Sequence, residues 1–80
     1  MPHVLESVAA GHSLAVRQAL AARIVAAVTG TLGSEMDKVS MAIREVRANA
    51  WMPTVYEPEI AAHEALLFKR PDYGPLAPQS

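Results

Sequence analysis

Met1-Pro2 opens the chain. With Met1 removed, the proline ring nitrogen becomes a free secondary amine, a group that other prolines lack because their nitrogen is tied up as an amide. Such an amine takes a proton from carbon, delivers one, or attacks a carbonyl, provided its basicity is brought toward neutrality. If Met1 persists, Pro2 is an amide and this chemistry is closed. The other titratable groups offer less by themselves. His3 follows Pro2, but alternation along an extended segment aims its side chain away from the face its neighbour uses, as fits a structural strand residue. His12 falls in a loop. His63 stands near Glu59 and Glu64, yet no second histidine sits at ligand spacing and the chain has no cysteine, so no metal is expected.

The elements that must position these groups follow from the pattern of apolar residues. Residues 2–10 read as a strand with Val4, Glu6 and Val8 on one face and Leu5 and Ser7 on the other. Gly11 ends it, and Ser13 is suited to cap the helix that follows. In that helix Val16, Leu20, Ile24 and Val28 recur every four residues, with Ala21, Val25 and Leu32 on a neighbouring row and Arg17 and Arg23 off the stripe. Gly30 weakens its last part, and Leu32-Gly33 reads as a hydrophobic last turn followed by a glycine stop. After a polar turn over residues 34–38 a second strand is expected at 39–46. Val39, Met41 and Ile43 share one of its faces; Ser40, Ala42, Arg44 and Val46 share the other. Strand, helix of about five turns and strand make a βαβ unit, whose crossover is right-handed in about 98% of cases.

Residues 2–47 thus form a βαβ core of one domain spanning 1–80. The remainder, 48–80, holds five of the six prolines and is expected as short helical turns around residues 50–56 and 59–67, then a C-terminal arm or hairpin.

Composition narrows the function classes. An 80-residue chain without cysteine buries only a little over ~60% of the surface its unfolded form exposes, so association is the remaining support. Hydrophobic residues make up 51%, many of them alanine, which suits helix packing and subunit contact. Seven Lys and Arg balance eight Asp and Glu, and the cations are scattered, so no nucleic-acid partner is indicated. The apolar stretch 14–32 carries Arg17, Gln18 and Arg23, which does not suit a membrane span. With no secretory signal pattern at the start, the expected location is cytoplasmic.

Taken together, Met-Pro-His-Val at the start, Leu32-Gly33 before the second strand, the run Val39-Ser40-Met41-Ala42-Ile43-Arg44-Glu45-Val46, and Trp51 resemble the tautomerase superfamily, in the branch of 4-oxalocrotonate tautomerase and its small bacterial relatives. Val55-Tyr56-Glu57-Pro58-Glu59-Ile60 and Leu67-Phe68-Lys69-Arg70-Pro71-Asp72-Tyr73-Gly74 look like the longer subgroup that ends in Lys-Lys-Pro-Gly-Tyr. The resemblance covers roughly residues 2–74.

It implies an α/β fold in which the βαβ unit pairs with a second chain, so that a mixed four-stranded sheet carries two helices. A homo-oligomer follows, with a dimer favoured and a hexamer open. It also implies a cofactor-independent keto-enol tautomerase or isomerase of a small 2-oxo acid, with Pro2 as general base and acid, no metal, and Trp51 as an aromatic wall. Burial and nearby cations would both disfavour the protonated amine. Two arginines of the type enzyme correspond to His12 and Ser40. Arginine clamps a carboxylate with two parallel bonds, whereas histidine offers one donor and serine a neutral hydroxyl. The resemblance therefore points to a substrate with one carboxylate or none, oriented by His12, Ser40 or Arg44; Arg47 would help only if the strand has ended. Hydration or dehalogenation of an unsaturated acid in the same pocket, and a non-catalytic oligomerising relative that binds small molecules, stay open.

Overall fold

The computed structural model describes residues 1–78. Residues 79–80, the end of the expected C-terminal arm, lie outside the described residues. The chain forms two compact units, Met1–Ala48 and a second that begins at Asn49.

The first unit is a βαβ arrangement: β1 (His3–Ala9), α1 (Leu14–Leu32) and β2 (Ser40–Val46), with a short 3₁₀ turn at Met36–Lys38. β1 and β2 pair in parallel in a single register, from His3 opposite Ser40 to Ala9 opposite Val46. One backbone bond closes the ladder at each end, Ser40 N–H to the Pro2 carbonyl (3.2 Å) and Ala10 N–H to the Val46 carbonyl (3.0 Å). Both strands are one residue shorter at their starts than the alternation suggests, and β1 also stops one residue early, at Ala9.

Local chemistry sets the ends of α1. The Ser13 hydroxyl accepts the Val16 N–H at 3.1 Å, satisfying one of the donors that a helix start leaves open. At the other end Gly33 adopts φ 70°, and its N–H reaches the Thr29 carbonyl, a left-handed stop that glycine adopts without steric cost. Gly30 does not interrupt the helix.

The inner face of α1 differs from the expected stripe. Arg17, Leu20, Ala21, Ile24, Val25 and Val28 are half-buried, while Val16 and Leu32 are 53% and 66% exposed. Arg17, expected off the stripe, belongs to the inner face because its guanidinium Nε lies 3.4 Å from the Glu45 carboxylate of β2. That ion pair also identifies the side of the sheet that α1 covers, the row Val4, Glu6 and Val8 beside Met41, Ile43 and Glu45. The opposite row begins with His3, Leu5, Ser40 and Ala42, all exposed.

In the second unit a π-helical segment, Met52–Ile60, leads into a 3₁₀ helix, Ala61–Leu66. Sequence reading separates two helical pieces near Pro58; instead the first runs through it. Pro58 has no N–H to give, and the Ala61 N–H bonds back to the Glu57 and Tyr56 carbonyls as the winding widens. His63 then breaks the helical geometry with ψ 33°. The tail, expected as an extended arm or hairpin, bends back within its own unit onto Tyr56. The Ala77 N–H closes a turn on the Gly74 carbonyl at 3.0 Å, with Pro75 in the position where its fixed φ suits a turn. Among the described residues no helix is long and apolar enough to cross a membrane.

Candidate active site

Parallel pairing brings the beginnings of both strands to one end of the sheet. Pro2 stands there, half-buried, its carbonyl held by the Ser40 N–H. Met1 is 98% exposed, so its removal gives up almost no buried surface. Beside Pro2, the His3 Nδ1 and the Ser40 Oγ are 2.6 Å apart across the strands. Pro2 and the His3–Ser40 pair thus share one end of the sheet, joined through the Ser40 backbone; sequence reading treats His3 as structural.

Arg44 lies on the same row as Ser40, four residues or about 13 Å further along the strand. Its guanidinium donates to the Ser7 Oγ at 2.9 Å, straight across the sheet to the residue opposite. Ser40 and Arg44 therefore share a face but do different jobs within one chain.

His12 occupies the far end. Seven residues of extended chain separate Pro2 from Ala9, about 23 Å, and the His12 Nδ1 is bonded to the Ala9 carbonyl at 2.9 Å. Because a carbonyl only accepts, Nδ1 is the donor in this bond, and Nε2 is the ring nitrogen left for another partner. Its loop is braced by Glu45, whose carboxylate accepts the Gly11 N–H at 3.0 Å on one oxygen and meets Arg17 with the other. The signal for Glu45 was a carboxylate on an otherwise apolar strand row.

Trp51 belongs to the second unit, where the tail fixes it. Its indole N–H donates to the Tyr73 hydroxyl at 2.7 Å. Tyr56, fully buried, donates its own hydroxyl to the Tyr73 carbonyl at 2.9 Å and accepts the Leu76 N–H at 2.8 Å. The two tyrosine rings meet edge to face with centroids 5.2 Å apart. Gly74 completes the fit: its φ is +71°, and a Cβ there would come within 2.6 Å of the Tyr56 ring. An Arg70–Glu64 pair at 2.6 Å and an Arg70 bond to the Leu76 carbonyl at 3.3 Å hold the tail from its other side. Nothing short-range in the sequence couples Trp51 and Tyr56 to residues about twenty positions later. Among the described residues no group of three or more His, Cys, Asp or Glu is arranged to hold a metal.

No protein-family model matches the chain. It is, however, 40% identical over 77 residues to a "Probable tautomerase" of Xylella fastidiosa (strain 9a5c), an alignment that takes in 96% of this chain and 94% of the relative. The chain belongs to the tautomerase superfamily. It is accordingly an enzyme of the isomerase class, and its βαβ unit is the tautomerase α/β fold. Within this tautomerase-family chain one end of the sheet gathers Pro2, His3 and Ser40, while His12 and Trp51 are organised separately by Glu45 and Tyr73.

Proposed function

We propose that the protein is a cofactor-independent keto-enol tautomerase of a small 2-oxo acid, in which the amine of Pro2, released by removal of Met1, carries the proton to and from carbon. The observation that carries this reading is the near full-length likeness to a probable tautomerase in a chain whose Pro2 heads a strand behind a fully exposed Met1. The Ser40 N–H on the Pro2 carbonyl supports it further, because that bond holds the proline in place after the residue before it has gone.

The substrate carries a single carboxylate. His12 and Ser40 stand where the resemblance sets arginines, and neither forms the bidentate charged pair a second carboxylate requires. The Trp51 N–H is engaged by Tyr73, which leaves the indole ring as an apolar wall. The enzyme works in the cytoplasm as a homo-oligomer, a dimer in the first instance. Among the described residues the two-stranded sheet has both outer edges unpaired, Leu5 is 54% exposed on the face away from α1, and no residue of α1 is buried. Since His12 is about 23 Å of strand away from Pro2 in the same chain, the His12 that orients a substrate at Pro2 belongs to another copy.

Mass spectrometry of the purified protein tests the first requirement, a chain that starts at Pro2. Ketonisation of phenylenolpyruvate tests the second: Pro2→Ala should lower it by about 10²-fold or more, the usual scale for a general acid or base. Retained Met1 in an active preparation, or full activity in correctly processed Pro2→Ala, overturns the reading.

A further inference from the structure

If Pro2 handles the proton on carbon, the proton on the substrate oxygen needs a partner as well. A serine alone is a weak one, being neutral and poorly acidic. Ser40 is not alone: its Oγ lies 2.6 Å from the His3 Nδ1. His3 and Ser40 are the first cross-strand pair of the sheet, directly beside Pro2, and neither is shielded from solvent. The His3 ring therefore bonds serine through one nitrogen and exposes the rest of its edge to water, which gives a proton passing through the pair a way out. The other cross-strand polar pair, Ser7 with Arg44, lies about 13 Å further on and ties its serine to a permanent cation, which cannot relay a proton.

We propose that Ser40, backed by His3, is the acid and base for the substrate oxygen, taking the place of the arginine that the resemblance assigns there; this rests on Pro2 serving as the acid and base at carbon. In ketonisation the Pro2 ammonium gives its proton to the enol carbon, whose C=C electron pair forms the new C–H bond. The enol O–H bond breaks and its electrons close the C=O. That proton goes to the Ser40 Oγ as the serine's own proton passes to Nδ1 of neutral His3. Pro2 ends neutral and His3 cationic, and exchange with water resets both. Enolisation runs the same transfers backwards. Ser40 is the catalytic residue of the pair and His3 acts through it.

Steady-state ketonisation of phenylenolpyruvate by folded, correctly processed variants tests this. Ser40→Ala should lose about 10²-fold in kcat, at the low end of general acid-base effects, whereas Ser40→Thr, which keeps a hydroxyl, should stay within about tenfold of native. His3→Asn sets an amide near the position of Nδ1 that holds the hydroxyl but accepts no proton; kcat should fall by about tenfold or more with KM nearly unchanged. The double variant Ser40→Ala, His3→Asn should be no slower than Ser40→Ala, because the two side chains act as a unit. Native kcat in Ser40→Ala, or in His3→Asn, overturns the relay. Full activity in Pro2→Ala instead sinks the reading beneath it. An inactive Pro2→Ala beside a fully active Ser40→Ala sinks the relay alone.

Discussion

Three glycine-to-alanine substitutions separate backbone conformation from packing, because the structure gives each site a different combination of the two. At Gly30, inside α1, an added Cβ meets nothing within 4 Å; alanine is the better helix former there, and the variant should gain about 1 kcal/mol. At Gly33 the Cβ again meets nothing, but φ is +70°, so alanine carries only the left-handed penalty, about 1–2 kcal/mol. At Gly74 φ is +71° and the Cβ falls 2.6, 2.7 and 2.8 Å from three atoms of Tyr56. That ring is fully buried and its hydroxyl is held by two hydrogen bonds, so it has little room to yield. Overpacking of about 1–3 kcal/mol adds to the conformational term of about 1–2 kcal/mol, for a total of about 2–5 kcal/mol. A core of this size rarely supplies more than about 3–5 kcal/mol, so Gly74→Ala should loosen the second unit even without denaturant. Urea unfolding at fixed protein concentration gives the order of midpoints. Trp51, the one tryptophan of the sequence, reports its own surroundings by fluorescence, since its N–H is bonded to Tyr73, the residue before Gly74. A Gly74→Ala midpoint equal to that of Gly33→Ala, with unchanged Trp51 emission, would refute the seating of the tail on Tyr56.

Two further outcomes bear on assembly and on the substrate. Light scattering over a dilution series should give a mass of at least two chains, since the described core of an 80-residue chain consists of Val46, Val55 and Tyr56; a folded monomer at micromolar concentration would contradict both the oligomer and a His12 supplied by another copy. His12→Arg should raise kcat/KM for the diacid 2-hydroxymuconate more than for phenylenolpyruvate, by about tenfold if one charge-assisted pair replaces a single donor; a native enzyme that already prefers the diacid would shift the carboxylate site to other cations, Arg44 first.

What the sequence reveals depends on how far apart the interacting residues are. Ser13 and Gly33 act on backbone groups within four residues of themselves, and the ends of α1 were legible from them. The alternation of residues 39–46 is equally local, and β2 follows it to within one residue. Arg17 was misassigned because counting every fourth residue from Val16 drifts around a helix of 3.6 residues per turn, and because its partner, Glu45, is 28 positions away. The helical turns expected at 50–56 and 59–67 are joined by a winding that runs through Pro58, and the wider turn that accommodates a residue without an N–H is not visible in composition. The contacts of Tyr56 with Tyr73, Gly74 and Leu76 have no periodicity at all, so the tail looked like an arm.

The site was legible in proportion to its dependence on topology. Once two strands are parallel, their first residues share an end of the sheet and the segments leaving them share the other. Pro2 and Ser40 must then be neighbours, and His12 must lie a strand length from both, whatever the side chains are. Register decides what stands beside the amine. A slip of one residue in β2 would turn Ser40 to the helix side and bring Met41 to His3, which would remove the hydroxyl from the cluster. The braces at the far end oppose such a slip: Glu45 holds both Gly11 and Arg17, and Ser7 holds Arg44. Those polar contacts, which touch none of the reacting groups, fix the pairing that gives Pro2 its neighbours.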